Sequence, residues 1–210
     1  MSTQDVKTIN DKANAIKEFS DPPIARALFG EVRWAWIWLI LRLYVGWEWL
    51  SAGWGKVNNP AWTGSKAGVA ITGFVNGALQ KTGGEHPDVQ GWYAWFLNNV
   101  VLPYPVFWSY LVTAGEVLVG LALILGLFTG IAAFFGSFMN MSYLLAGAVS
   151  VNPILFVIAL FLILAWKTAG WWGLDRWILP ALGTPWRPGA VFHPEGEEGV
   201  GPMVEHPGRA

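Results

Sequence analysis

The fold is decided by two neighbouring apolar stretches, VFWSYLVTAGEVLVGLALILGL (residues 106–127) and IAAFFGSFMNMSYLLAGAVSV (residues 131–151). Together they contain one charged residue, Glu116. Each is long enough to cross a hydrocarbon core of about 30 Å as a helix, since a spanning helix needs about 20 apolar residues. Because the connection between them is so short, we expect two adjacent antiparallel helices in a membrane.

Two further apolar stretches flank this hairpin. Residues 34–54 contain only two charges, Arg42 and Glu48. The last stretch begins with Asn152 and a proline, as a helix does, and reaches spanning length only if the helix continues to Trp172. The sequence therefore predicts an all-α membrane protein, a four-transmembrane-helix antiparallel bundle. Its spans are expected at about 34–54, 106–127, 131–151 and 153–172.

The composition excludes several classes of protein. Charged residues make up 13% of the chain, about half the usual fraction of roughly 25% in soluble proteins, so an ordinary soluble enzyme is excluded. The net charge of −1 provides no basic field for nucleic acid. With no cysteine and three histidines outside the apolar stretches, disulfides, thiolate metal sites, iron–sulfur clusters and a haem held by two histidines inside a membrane bundle are excluded as well.

The terminal segments and the long loop predict the orientation. Residues 1–33 form a polar arm without the apolar core of a signal peptide, and residues 181–210 form a Pro-, Gly- and Glu-rich tail predicted to be disordered. Most of the 13 Lys and Arg residues lie towards these two ends, which predicts an inner-membrane protein with both termini cytoplasmic. The loop 57–105 then faces outward, and short helices, some of them interfacial, are expected at 67–79 and 91–101.

Three ionisable residues lie within the predicted spans: Arg42, Glu48 and Glu116. Each costs about 2.5–3.5 kcal/mol on insertion scales unless it is paired. Counted from the ends of their helices, Arg42 and Glu116 lie at similar depth, so we expect them to form an ion pair and Glu48 to have another partner or water. A structural and a catalytic role both remain open. If the pair is structural, removing both charges should restore part of the stability that removing Arg42 loses.

One face of the third apolar stretch carries small and polar residues at helical spacing: Gly136, Asn140, Tyr143 and Gly147. A quinone head group needs hydrogen-bond donors for its carbonyl oxygens and an aromatic wall, which makes Asn140 and Tyr143 candidate quinone ligands. Contacts between helices are the alternative role of this face. Glu48 or Glu116 could supply protons, and Lys56 is a candidate for attracting an anionic substrate.

Metal sites and soluble catalytic domains are not expected. Residues 85–88, Glu-His-Pro-Asp, and His193 with His206 lack a recognised ligand spacing. The chain also lacks the glycine-rich and nucleophile motifs of nucleotide-binding and hydrolase domains. If the protein transfers electrons, the carrier must come from outside the chain.

Four groups of residues form a spaced pattern: Arg42-x3-Gly46 with Gly53-x2-Lys56; Glu116-x3-Gly120 followed by Gly126-Leu127-x-Thr129-Gly130; Asn140; and Gly170-x2-Gly173-Leu174-Asp175. This pattern resembles that of the DoxX/DoxD family of four-helix membrane proteins, over about residues 33–180. The resemblance gives a structural role to five residues: Gly46, Gly53, Gly120, Gly173 and Asp175.

The DoxD branch of that family is the membrane subunit of thiosulfate:quinone oxidoreductase, which works with a second subunit. The resemblance thus implies a subunit that passes electrons from a small sulfur anion such as thiosulfate to membrane quinone, its diffusible substrate. Its candidate residues are Arg42, Glu48 and Glu116 for catalysis and Lys56, Asn140 and Tyr143 for binding. A second subunit or further copies of the chain would be its partners. The alternative is a non-catalytic scaffold or accessory subunit of a larger membrane redox complex.

Overall fold

All regular elements in the computed structural model, which describes residues 21–184, are helices, and the all-α class is confirmed for this range. In chain order the α-helices are α1 (Pro23–Gly30), α2 (Ala35–Val57), α3 (Pro60–Thr63), α4 (Val69–Leu79), α5 (Gly91–Phe96), α6 (Pro105–Leu125), α7 (Thr129–Leu145), α8 (Asn152–Leu164), α9 (Trp166–Ala169) and α10 (Asp175–Ala181). A 3₁₀ turn at Val32–Trp34 and a π-helical turn at Leu97–Val101 complete the set. Most of the predicted arm and tail, with His193 and His206, lie outside the described residues.

Glycines bring α2 and α6 into close antiparallel contact. A Cβ atom at Gly53 would lie 2.8 Å from the Val117 backbone nitrogen, and one at Gly120 would lie 2.5 Å from the Leu50 backbone nitrogen. A Cβ atom at Gly46 would meet α6 again, 2.9 Å from a side-chain carbon of Ile124. Small residues allow helix backbones to approach in this way, so the spacing of these glycines sets the register of the two helices.

Two buried clusters hold the helices together. The first joins α2, α6, α7 and α8 through residues that include Trp38, Trp49, Leu123, Ala133 and Leu162. The second lies under the long loop and includes Val75, Val89, Tyr93, Val101 and Ala146. Both loop stretches expected to be structured are helical: the first forms α4, and the second forms α5 followed by a π-helical turn at Leu97–Val101. The loop is therefore a packed layer over the ends of α6 and α7.

The outward faces of the long helices are apolar. Large exposed side chains include Trp47 of α2, Leu118 of α6, Phe138 of α7 and Val157 of α8, each at least half exposed. Apolar surface of this extent needs lipid or a partner protein to cover it. Among the helices in residues 21–184, α6 alone is both long and apolar enough to cross a membrane by length and composition.

The fourth long helix is shorter than expected. Instead of continuing to Trp172, α8 ends at Leu164, and Ala165 leaves the helical conformation with ψ of 16°. Its 13 residues correspond to about 20 Å of helix. The break allows the following turn to pack on α1, where the Thr168 hydroxyl donates to the Phe29 carbonyl oxygen at 3.1 Å.

Helix α1 lies within the range predicted as a polar arm, yet it packs against the bundle. The Trp38 indole nitrogen donates to the Leu28 carbonyl oxygen at 2.9 Å, and the Phe29 ring stacks on Trp38 with centroids 5.5 Å apart. The division of the chain at residue 33 stays a prediction.

Candidate functional site

A cavity of about 310 Å³ lies where α2, α6 and α7 meet the beginning of α8. Its polar and aromatic walls consist of Glu48, Trp49, Lys56, Trp62, Phe74, Glu116, Tyr143, Ser150 and Asn152. The cavity therefore brings together four of the six predicted catalytic and binding residues: Glu48, Lys56, Glu116 and Tyr143.

Glu116 joins three helices at this cavity. Its side chain is 2% exposed, and its Oε2 accepts a hydrogen bond from the Lys56 ammonium at 2.6 Å. Its Oε1 accepts a hydrogen bond from the Tyr143 hydroxyl, also at 2.6 Å. Hydrogen bonds to an ionised group are among the strongest in proteins, so this carboxylate fixes the position of one donor from α2 and one from α7.

Lys56 lies in the last turn of α2, where the helix dipole favours a positive charge. Besides binding Glu116, its ammonium lies 5.0 Å from the centre of the Trp62 ring in α3, an arrangement that stabilises a cation over an aromatic face. The charge of Lys56 is thus balanced within the protein. The role in attracting an anion, predicted for this lysine, remains a prediction that these contacts do not favour.

The Tyr143 ring is held between two other aromatic residues. Trp49 stacks on it with centroids 6.3 Å apart, and Phe74 meets it edge-on at 5.9 Å. Such offset and edge-to-face contacts are favourable for aromatic rings. They place the hydroxyl of Tyr143 at Glu116 and give the cavity rigid aromatic walls.

Glu48 occupies a different position on the cavity wall. It is half-buried, and within residues 21–184 its carboxylate forms no ion pair. Because the charges of Lys56 and Glu116 balance each other, an ionised Glu48 gives the cavity a net negative charge.

The predicted ion pair between Arg42 and Glu116 is wrong. The Arg42 guanidinium donates to the carbonyl oxygens of Leu123 at 2.7 Å, Ile124 at 3.2 Å and Trp172 at 3.1 Å. In the register set by the glycines, α2 extends beyond the end of α6 by more than two turns, so Arg42 lies level with that end and Glu116 lies level with Lys56. The last carbonyls of a helix lack intrahelical partners and carry a partial negative charge, which is why a cation is stable there.

Asp175 completes the junction around Arg42. Its carboxylate accepts hydrogen bonds from the backbone nitrogens of Phe128 at 2.6 Å and Thr129 at 2.9 Å, at the start of α7. Gly126 adopts φ of 65°, and a Cβ atom there would lie 2.9 Å from the Gly173 Cα atom. Acidic side chains stabilise helix N-termini, so Gly173 and Asp175 act on the α6–α7 turn rather than on the cavity.

Asn140 does not line the cavity either. It is fully buried, and neither its side-chain oxygen nor its nitrogen has a hydrogen-bond partner within the described residues. The Trp49 indole nitrogen is likewise buried without a hydrogen-bond partner in residues 21–184. The structure therefore separates Arg42 and Asn140 from the four residues that meet at the cavity.

Three aromatic residues of the cavity were not predicted: Trp49, Trp62 and Phe74. A signal existed for Trp49, because it shares a helical face with Lys56. Trp62 and Phe74 come from the loop between α2 and α6, where no local pattern indicates which side chains turn towards the bundle.

The comparisons with known proteins identify the family. The model of the DoxX family matches residues 37–171, which run from the first turn of α2 to just past α9 and include the whole cavity. The Gly173 and Asp175 positions lie just beyond this match. Neither the curated proteins nor the solved structures contain a match to the chain. Since the family model covers well over half of the sequence, the chain belongs to the DoxX family and is a membrane protein.

Proposed function

We propose that this protein binds the head group of a membrane quinone in the Glu116 cavity and serves as the quinone-reducing subunit of an oxidoreductase. The observation that carries the proposal is the convergence of Lys56, Glu116 and Tyr143 on one wall of an aromatic-lined cavity. Its electron donor is a small sulfur anion such as thiosulfate, as the family resemblance suggests.

The volume and the chemistry of the cavity suit a planar ring. Its volume of about 310 Å³ is at the lower end of small-molecule sites, which measure about 300–1,000 Å³. Trp49, Trp62 and Phe74 provide flat walls, and Lys56 keeps N–H groups for a carbonyl oxygen beyond the one that binds Glu116. The Tyr143 hydroxyl has a single proton, which it donates to Glu116, so it would turn from Glu116 to donate to a quinone. A bound quinone would supply the redox chemistry by taking up two electrons and two protons.

The protein groups would orient the ring and hold protons. Glu116 keeps the Tyr143 hydroxyl and the Lys56 ammonium at the wall, so both groups are in position before a ligand arrives, with the remaining N–H groups of Lys56 free of Glu116. Glu48, half-buried and without an ion-pair partner in the described range, is the group best placed to exchange protons with the surroundings.

The electron donor would bind outside this cavity. Glu48 and Glu116 provide two carboxylates against the single ammonium of Lys56, so an anion would meet net repulsion there. The sulfur anion would then be oxidised elsewhere, by a second subunit that passes electrons on.

The membrane arrangement is part of the proposal. The long helices α2, α6, α7 and α8 would lie in the bilayer with their apolar faces towards lipid, and both termini would be cytoplasmic. The exposed apolar side chains on all four helices and the concentration of Lys and Arg towards the chain ends support it. The loop from residue 57 to residue 105 would then cover the cavity from the outer side.

Quinone reduction by the protein in nanodiscs, purified together with any subunit that accompanies it, tests the proposal, with thiosulfate, sulfite and no donor compared. Binding of a short-chain ubiquinone, monitored by the quenching of Trp fluorescence, tests the cavity when no second subunit is present.

Tyr143→Phe should weaken quinone binding, and Glu48→Gln should abolish quinone reduction without a change in thermal stability. Tyr44→Phe, at an exposed tyrosine of α2 outside the cavity, is the matched control.

A folded protein that neither binds nor reduces quinone would refute the proposal. It would leave the scaffold or accessory subunit as the better description.

A further inference from the structure

Packed residues close most sides of the Glu116 cavity. The contact of Gly53 with Val117 leaves no space between α2 and α6, and the hydrogen bond from Tyr143 to Glu116 joins α6 to α7. Trp62 and Phe74 cover the end under the loop. A ligand therefore cannot enter along these sides without breaking packed contacts.

The remaining side lies between α2 and the beginning of α8. There Ala52, Ser150 and Val151 line the cavity and are exposed at the same time. Further along the two helices, Trp38 of α2 and Leu162 of α8 are both buried in the cluster that the long helices share, so neither faces an opening there. The opening is thus confined to the end of the α2–α8 contact nearest the loop.

The α8 side of this opening is apolar. Val151, which lines the cavity, is 41% exposed, and Ile154, in the first turn of α8, is 57% exposed. In a membrane protein, such side chains face the acyl chains or the interface. A small anion would have to cross this surface and then pass Glu48, so the opening suits a ligand that is already dissolved in lipid.

We propose that the gap between α2 and α8 is a lateral portal through which the cavity exchanges its ligand with the bilayer. The ligand is an uncharged amphiphile with a ring and an apolar tail. The ring lies against Trp49 and Tyr143, and the tail leaves between Ala52 and Val151. This inference rests on the proposed function and specifies its ligand as lipid-borne.

Because the chain contains no cysteine, single-cysteine variants of the full-length protein test the portal directly. Ala52→Cys and Val151→Cys are compared in nanodiscs for reaction with a lipid-soluble maleimide and with a charged, membrane-impermeant maleimide. Ala114→Cys, between the exposed Leu111 and Leu118 of α6, is the lipid-facing control. Gly83→Cys, in the exposed loop after α4, is the water-facing control.

We expect Ala52→Cys and Val151→Cys to react like Ala114→Cys, with the lipid-soluble reagent and not with the charged one. A long-chain ubiquinone at about ten times its Kd should slow the labelling of Ala52→Cys about tenfold, since only about one cavity in eleven remains free. The labelling of Ala114→Cys should not change.

Labelling of residue 52 or 151 by the charged reagent, or by neither reagent, would overturn the portal. So would quinone that binds, by Trp quenching, without protecting residue 52. Failure of the proposed function has a different signature, namely no quinone-induced quenching in the unmodified protein. Labelling needs no ligand, so even then it decides whether the gap opens to lipid or to water.

Discussion

Glu116 organises the polar side of the cavity. Both of its carboxylate oxygens are used, one by Lys56 and one by Tyr143, at 2.6 Å each. A buried charge is tolerated in a protein interior when it is paired and hydrogen-bonded, and removing one partner leaves the other charge uncompensated. The three side chains therefore depend on one another energetically.

A double-mutant cycle measures this dependence. Lys56→Met alone should lower the free energy of unfolding by about 3–5 kcal/mol, because Glu116 stays buried without its counter-ion. Lys56→Met combined with Glu116→Leu should lose less than the sum of the single variants, with a coupling energy of about 0.5–3 kcal/mol. Reversible unfolding in mixed micelles gives all four values, and a strictly additive result would contradict the pairing.

Arg42 and Glu116 should behave as independent residues. Arg42 donates to backbone carbonyls at the end of α6, while Glu116 binds Lys56, so the two share no partner. The losses caused by Arg42→Met and by Glu116→Leu should add within about 0.5 kcal/mol. A marked recovery of stability in the double variant, measured in the same unfolding assay, would instead indicate the direct pair that the sequence suggested.

At the scale of the elements, the register between α2 and α6 decides which side chains meet. Gly53 and Gly120 lie where the two backbones are closest, with no space for a Cβ atom. Their spacing aligns the end of α2 with the middle of α6 and brings Lys56 to Glu116. The family glycines thus position the candidate site from outside the cavity.

Two glycines of α2 provide a matched test of this contact. At Gly53 a Cβ atom would lie 2.8 Å from the Val117 nitrogen, whereas at Gly55 nothing lies within 4 Å. Gly53→Ala should therefore destabilise the protein by about 1–3 kcal/mol through overpacking. Gly55→Ala should be neutral or stabilise it by up to about 1 kcal/mol, because alanine favours the helix. Equal melting temperatures for the two variants would show that the close approach is not required.

At the scale of the whole molecule, the loop between α2 and α6 is part of the site. It contributes Trp62 and Phe74 to the cavity and is attached by hydrogen bonds to the end of α7 and to the turn that follows it. The Tyr93 hydroxyl donates to the Ser142 carbonyl oxygen at 2.8 Å, and the Lys81 ammonium donates to the Gly147 carbonyl oxygen at 2.7 Å. Loosening these contacts should open the cavity from the loop side.

Alkaline pH should release the loop through Tyr93. Burial raises the pKa of this phenol, more than its hydrogen bond to Ser142 lowers it. Because the pKa of Tyr93 is higher in the folded than in the unfolded protein, the protonated phenol contributes fully to stability below its unfolded-state pKa of about 10. That contribution is lost as the pH rises through the folded-state pKa. The protection factors of residues 69–101, which are corrected for the base-catalysed intrinsic exchange rate, should therefore fall above pH about 10.

Tyr93→Phe is the control for this titration. It lacks the ionisable hydroxyl, so its exchange should be faster at neutral pH, by an amount that reflects about 1 kcal/mol for the lost hydrogen bond. Its exchange should also respond less to alkaline pH. An unchanged alkaline response in Tyr93→Phe would assign the pH effect to another group.

The sequence by itself determined the helical class and selected most of the polar residues that line the cavity. Long apolar stretches can satisfy their backbone in a membrane only as helices, and Glu48, Lys56, Glu116 and Tyr143 interrupt or end such stretches. These are local properties, so no knowledge of the packing was needed to select them.

Only the tertiary structure decided which of these residues meet. Counting residues from the end of each helix predicts that Arg42 and Glu116 lie at the same depth and form a pair. The glycine contacts instead place α2 in a register in which it extends past the end of α6, so Glu116 pairs with Lys56. The break of α8 at Ala165 and the turning of Trp62 and Phe74 towards the bundle likewise depend on distant neighbours. Register and side-chain direction arise from contacts between segments far apart in the chain, which no pattern within one segment contains.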